Sequence, residues 1–194
     1  MYLFFDTETN GLPKDFNADV YATGNWPRIV QIAWQHYDKY GNKLAEHNYI
    51  IYPHDFKISE ESTAIHKITE ERTKKEGVPI EYALKMFSET FKLTNLLVAH
   101  NASFDISVVS CELIRARKYE EYERMRKIVQ LCTMKKTMQF CKLPGVHDYK
   151  WPKLSELYEK INGTPYYGDD MHNALTDVNI LADCFFKLKE RKII

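Results

Sequence analysis

Asp6 and Glu8 stand two residues apart in MYLFFDTETNG, directly after the apolar run Tyr2-Leu3-Phe4-Phe5. In an extended strand alternate residues share a face, roughly 6–7 Å apart, so both carboxylates would project the same way. Paired anions in a partly dry place repel, and one holds a proton unless a cation sits between them. Acid-x-acid pairs arise by chance about four times in a chain of this composition, so the pair alone says little. Two more acids add weight. Asp177 heads the stripe Leu181, Cys184, Phe185 and Leu188, and Asp105 lies below Val109 and Leu113 in the same manner. Either alone reads as a first-turn acid favoured by the helix dipole. Together they aim four carboxylates inward, where burying an unpaired charge costs several kcal/mol. No set of arginines at helical spacing answers them. Divalent cations would satisfy all four, and oxygen-only ligands suit Mg²⁺ or Mn²⁺. His172, five residues before Asp177, would stand ~140° away on a shared helix. It is therefore expected in the loop or cap behind Gly168-Asp169-Asp170, with an imidazole suited to taking a proton near neutrality.

The elements that must place these groups follow from the hydrophobic pattern. Residues 2–6 read as a strand covered on both faces, hence central in its sheet, and Thr9-Asn10-Gly11-Leu12-Pro13 ends it. Ile29 to Trp34 and Lys43 to Tyr52 read as two strands joined by a hairpin around Tyr40-Gly41-Asn42-Lys43, after a polar loop at 14–28. Helical spacing begins near Ser59, and Ile80, Leu84, Phe87 and Phe91 mark a helix opened near Pro79. Leu96 to His100 is a short buried strand running into a helix at 103–117, with Ser103 as its expected N-cap. Residues 128–132 form a fifth strand, 134–153 reads as irregular, and helices follow from about Leu154 and from about Asn173 to Lys189. The expected fold is α/β: a mixed five-stranded sheet, its first three strands antiparallel, flanked by helices.

With 194 residues, 44% of them hydrophobic, the chain is expected to form one domain over 1–194. Its 27 basic residues balance 27 acidic ones, so there is no overall basic footprint for nucleic acid, and any grip must be local. No stretch reaches the ~18 apolar residues of a membrane span, and no secretory signal is expected. Cys111, Cys132, Cys141 and Cys184 lack C-x-x-C spacing and read as reduced thiols, which points to the cytoplasm. Lys135, Lys136, Lys142, Tyr149, Lys150, Trp151 and Lys153 read either as a track for a single strand or as a solvated lysine face over packed aromatics.

Three stretches, Asp6-Thr7-Glu8-Thr9, His100-Asn101-Ala102-Ser103-Phe104-Asp105 and His172-Asn173-Ala174-Leu175-Thr176-Asp177, resemble the three exonuclease motifs of the DEDDh (DnaQ-like) family. That family includes the proofreading epsilon subunit of bacterial DNA polymerase III. The match is ordered and spans residue 2 to about 188. The resemblance implies a ribonuclease H-like fold, two Mg²⁺ or Mn²⁺ ions, and release of 5′-mononucleotides from the 3′ end of single-stranded DNA, in replication or repair. Asp6, Glu8 and Asp177 would hold the tighter ion. Asp6 would bridge to a second that Asp105 supports, and His172 would be the general base. Thr7, Thr9, Leu12, Asn101 and Phe104 would cradle the terminal nucleotide, with His66 near it and His100 structural. Ile65-His66-Lys67-Ile68-Thr69 is similar to the family's H-G-I-T stretch, with Lys67 where glycine is usual. An exoribonuclease of the ribonuclease T or oligoribonuclease type shares these residues, and so does a nucleic-acid-binding module without catalysis. No polymerase domain is expected within the chain, and docking on a polymerase stays open.

Overall fold

The computed structural model describes residues 1–168 and 171–194; Asp169 and Asp170, read as loop from the sequence, lie outside the described residues. Strand β1 (Tyr2–Thr9) is central, as its apolar run requires. It pairs antiparallel with β2 (Ile29–Tyr37) and parallel with β4 (Leu96–Ala99). Beyond these lie β3 (Lys43–Ile50), antiparallel to β2, and β5 (Val129–Cys132), parallel to β4, in the order β3-β2-β1-β4-β5. Helices α1 (Glu60–His66), α2 (Glu70–Glu76) and α3 (Ile80–Phe91) lead from β3 to β4. Helices α4 (Ala102–Arg115) and α5 (Tyr119–Met125) separate β4 from β5. The short α6 (Thr133–Lys136) and α7 (Met138–Cys141) precede α8 (Leu154–Asn162) and α9 (Ala174–Glu190).

The alternation of β1 divides the core. Leu3 and Phe5 pack with Leu84, Phe87, Phe91, Val108 and Val109 of α3 and α4. Phe4 faces the other way, onto Leu157 of α8 and Val178, Leu181 and Phe185 of α9. All three β1 side chains are fully buried, each adding about 1.5–3 kcal/mol through apolar burial. Because α4 and α9 flank opposite faces, their first turns meet only past the end of β1. There Asp6 and Glu8 emerge from the sheet.

The structure differs from the sequence reading in a few places. Strand β1 continues to Thr9, since Thr7 and Glu8 still pair with Ile32 and Gln31, and β3 stops at Ile50. Helix α4 is capped by Asn101 rather than Ser103: the chain leaves β4 through a single left-handed residue at φ 67°, and Ser103 falls in the first turn. Within 134–153, α6 and α7 are helical, each only four residues long, below the length at which periodicity shows. Lys67, standing where glycine is usual, caps α1 in the left-handed conformation at φ 59° and donates from Nζ to the Ala64 carbonyl. All four cysteines are unbonded, with Cys111, Cys141 and Cys184 buried. Among the described residues no helix is long and apolar enough to cross a membrane.

Candidate active site

Four chain segments meet at the carboxyl end of β1. Asp6 and Glu8 project from the α9 side of the strand, as their spacing demands, opposite Ala33 and Gln31 of β2. A register shift between Glu8 and Thr9 marks a bulge, a device that re-aims a strand next to a site. Asp177, in the first turn of α9, is buried. His172 is exposed two residues before that helix, on a left-handed residue at φ 66°. Glu8, His172 and Asp177 each offer a ligand atom within 4.8 Å of the others, so this trio could hold a metal ion. Asp105 arrives from the first turn of α4 and is 3% exposed. Its Oδ1 accepts from the Thr7 backbone N–H at 3.0 Å and the Thr7 hydroxyl at 2.8 Å. Thr7, pointing to the opposite face from its neighbours, thus fastens the acid of α4 to the strand that carries the other two.

Electrostatics ties the acids into one group. Burial, then Asp105, Asp177 and Glu8, push the Asp6 carboxyl well above the usual carboxylate range. Glu8 is raised to about 8 by burial and by Asp177 and Asp105. Asp105 is raised to about 7 by burial, against the two Thr7 hydrogen bonds that favour its anion. Near neutral pH the site therefore keeps protons that a divalent cation would displace.

The apolar walls lie on either side of these acids. One cleft of about 640 Å³ runs past Asp6, His172 and Asp177 between Leu12, Phe16, Phe104 and the start of α8. A second of about 440 Å³ passes Thr7, Glu8, Thr9 and His66. Leu12 and Phe104 border both, and Leu12 is 72% exposed. Asn101 lines the first cleft, while the Thr9 hydroxyl donates to the Gly11 carbonyl at 2.7 Å and holds the turn that carries Leu12. His66 is buried, with Nδ1 accepting from the Ile68 N–H at 3.0 Å, and burial lowers its pKa.

Two supports escaped the sequence reading. Gln31 is 1% exposed, and its Oε1 accepts from the Ala174 N–H at 3.1 Å while Nε2 donates to Asn48 at 2.8 Å and reaches Asn173 at 3.4 Å. It clamps the start of α9 beside Glu8. Gln35 makes a second contact with α9 six residues beyond Asn173, donating to Asn179 at 2.6 Å. Two amides at i and i+4 within an apolar strand were the available signal. The second support is Glu112, buried on α4 and paired with Arg28 at 2.7 Å and Arg115 at 2.9 Å. Arg115 also donates to the Thr23, Trp26 and Pro27 carbonyls, binding the 14–28 loop, which carries Phe16, to α4. These half-buried arginines thus answer Glu112 rather than the four acids.

Comparison with known proteins gives the arrangement its relatives. The family model described as Exonuclease matches residues 3–185. The DNA polymerase III PolC-type protein of Streptococcus sanguinis SK36 is 34% identical over 109 residues, 56% of this chain and 6% of that protein. That of Streptococcus pneumoniae D39 is 33% identical over 114 residues, 59% of this chain and 7% of that protein. The chain thus spans only a small part of the curated relatives it matches. Exonuclease X, solved with 5′-overhanging duplex DNA, superposes with a TM-score of 0.63 and 26% identity, covering 99% of this chain and 93% of that one. Escherichia coli Exonuclease I, solved with a dT13 oligonucleotide, gives 0.76 at 18% identity over 98% of this chain and 41% of that one, a likeness of fold.

Proposed function

The chain belongs to the DEDDh exonuclease family, and on that premise we propose that it is a divalent-metal-dependent 3′→5′ exonuclease releasing 5′-mononucleotides from single-stranded DNA. The observation carrying this reading is the meeting of Glu8, His172 and Asp177 within 4.8 Å, coupled in charge to Asp6 and Asp105. The donor set fits Mg²⁺ or Mn²⁺: carboxylate oxygens whose mutual repulsion two such ions would cancel. Asp6, Glu8 and Asp177 would hold one ion, and Asp6 with Asp105 the other. Bound there, the ions supply charge stabilisation to the attacking and leaving oxygens of an in-line displacement.

The remaining work belongs to the chain itself. Leu12 and Phe104, between the two clefts, wedge the terminal nucleoside, and backbone around Thr7, Thr9 and Asn101 holds its sugar and phosphate. His172 takes the proton of the attacking water. The water oxygen bonds to phosphorus, the P–O3′ bond breaks, and the upstream 3′-oxygen leaves with a proton from solvent. The exposure of His172 lets it return its proton to bulk water. Thr7 holds Asp105, and Gln31 holds the helix start behind His172, so the acids need little reorganisation when substrate enters. The PolC-type relatives favour a place beside a replicative polymerase, as a proofreading partner.

Digestion of 5′-labelled and 3′-labelled single-stranded oligodeoxynucleotides, with Mg²⁺ and with EDTA, tests the reading. The 5′-labelled strand should shorten stepwise, the 3′-labelled strand should lose its label as a mononucleotide at once, and EDTA should stop both. Cleavage from the 5′ end, or release that survives EDTA, contradicts it. The same sequence as RNA compares the two sugars.

A further inference from the structure

The rim of the larger cleft is built by a segment that the catalytic reading does not use. His100 has both ring nitrogens engaged: Nδ1 lies 2.9 Å from the Thr133 hydroxyl, and Nε2 lies 2.9 Å from the Pro152 carbonyl. Burial draws its pKa down to about 4, so the ring is neutral at pH 7. A carbonyl can only accept, which places the proton on Nε2 and makes Thr133 the donor to Nδ1. One side chain therefore pins two distant segments to the same wall.

Those segments carry Lys135, two residues after Thr133, and Trp151, one residue before Pro152. The Lys135 ammonium stands 5.9 Å from the centroid of the Trp151 ring, a cation–π distance. Trp151 is 56% exposed, so the fold leaves a large flat aromatic face in water. Lys153, two residues on, lines the cleft together with Asp6, His172 and Asp177. Lys150 is neutralised by Glu156 at 2.5 Å, whereas Lys135 and Lys136 enter no ion pair among the described residues. In a chain of zero net charge, exposed cations beside an aromatic face and next to an acidic centre are complementary to a polyanion whose end enters that centre.

We propose that Trp151 and Lys135 form an upstream subsite for single-stranded DNA, the indole stacking on a base of the incoming strand and the ammonium meeting a neighbouring phosphate, with His100 as the positioning residue. This rests on the nuclease reading and deepens it: the substrate is a strand longer than the nucleotide released.

The test compares a dT12 oligonucleotide with the p-nitrophenyl ester of thymidine 5′-monophosphate, which fills only the terminal position. Trp151→Ala should raise KM for dT12 about tenfold, leave kcat unchanged, and change neither parameter on the ester. Trp151→Phe should restore most of the loss. Lys135→Gln should make the negative slope of log affinity against log salt shallower by about 0.7. An unchanged KM for dT12, or equal losses on both substrates, overturns the subsite. Tighter binding of rU12 than of dT12 overturns its assignment to DNA. Anisotropy of fluorescein-labelled dT12 on the Asp6→Asn protein reads the subsite without turnover. A wild-type protein that cleaves nothing would thus defeat the nuclease reading while the subsite is still tested.

Discussion

Replacing Asp105 by Asn removes one charge from the acid group and little else. The amide oxygen can still accept both hydrogen bonds from Thr7, so the link between α4 and β1 survives. The pKa of Asp105 rises from 3.8 to about 7 on folding. That rise is worth at most about 4 kcal/mol at pH 8, where the unfolded carboxyl is fully ionised. Asp6 and Glu8 share the same protons, so some of the relief is spent on their easier ionisation, and about 2 kcal/mol is the expected gain. A raised pKa contributes stability that is complete below the unfolded value and is lost as pH climbs through the folded one. In EDTA, Asp105→Asn should therefore match wild type near pH 4 and pull ahead through pH 7. By pH 8 it should melt about 4–8 °C higher. Added Mg²⁺ should raise the wild-type melting temperature and leave the variant far less changed. Differential scanning calorimetry across that pH range reads both effects. Melting curves that stay parallel with pH, or a variant less stable at pH 8, would show that the four acids are not coupled as described.

Other substitutions probe the supports. Gln31→Leu leaves the Ala174 N–H and the Asn48 amide without their buried partner and should cost about 2–3 kcal/mol in urea unfolding. In turnover assays kcat should fall more than KM rises, because the start of α9 behind His172 loosens. Arg115→Ala strips Glu112 of one cation and frees the 14–28 loop from three bonds, costing about 3 kcal/mol and raising KM for oligonucleotides through Phe16. Arg115→Lys, lacking the planar fork, should recover little of either. Lys67→Gly relieves a left-handed residue and should stabilise the protein by about 0.5–1 kcal/mol with unchanged turnover; a loss of stability would show that the Nζ bond to Ala64 outweighs the backbone strain.

What the sequence discloses about this fold follows from what is local in it. A short unbroken apolar run closed by turn residues suits a strand covered on both faces, so the central place of β1 was legible in Leu3-Phe4-Phe5 and the Asn10-Gly11 turn after it. The hairpin and the stripes of α3 and α9 were equally plain, being repeats within one element. Asn101 as the cap of α4 was not legible. Asn and Ser cap about equally well by residue type, and only the sharp exit from β4 selects the left-handed residue. Glu112 gave no local sign of its burial, because its partner Arg28 and the 23–27 carbonyls that hold Arg115 lie far off in the chain. Four acids at element ends suggested a shared centre, but the contact of His172 with Glu8 and Asp177 depends on how the loop before α9 turns, which no spacing encodes.

Titration of Mn²⁺ into the metal-free protein, followed by electron paramagnetic resonance, addresses the central claim that the acids of β1, α4 and α9 hold divalent cations. Wild type should remove two Mn²⁺ ions per chain from the free-ion signal, more tightly at pH 8 than at pH 6, and Asp6→Asn should lose that uptake. Uptake that is absent in wild type, or equal in the two proteins, would contradict the account.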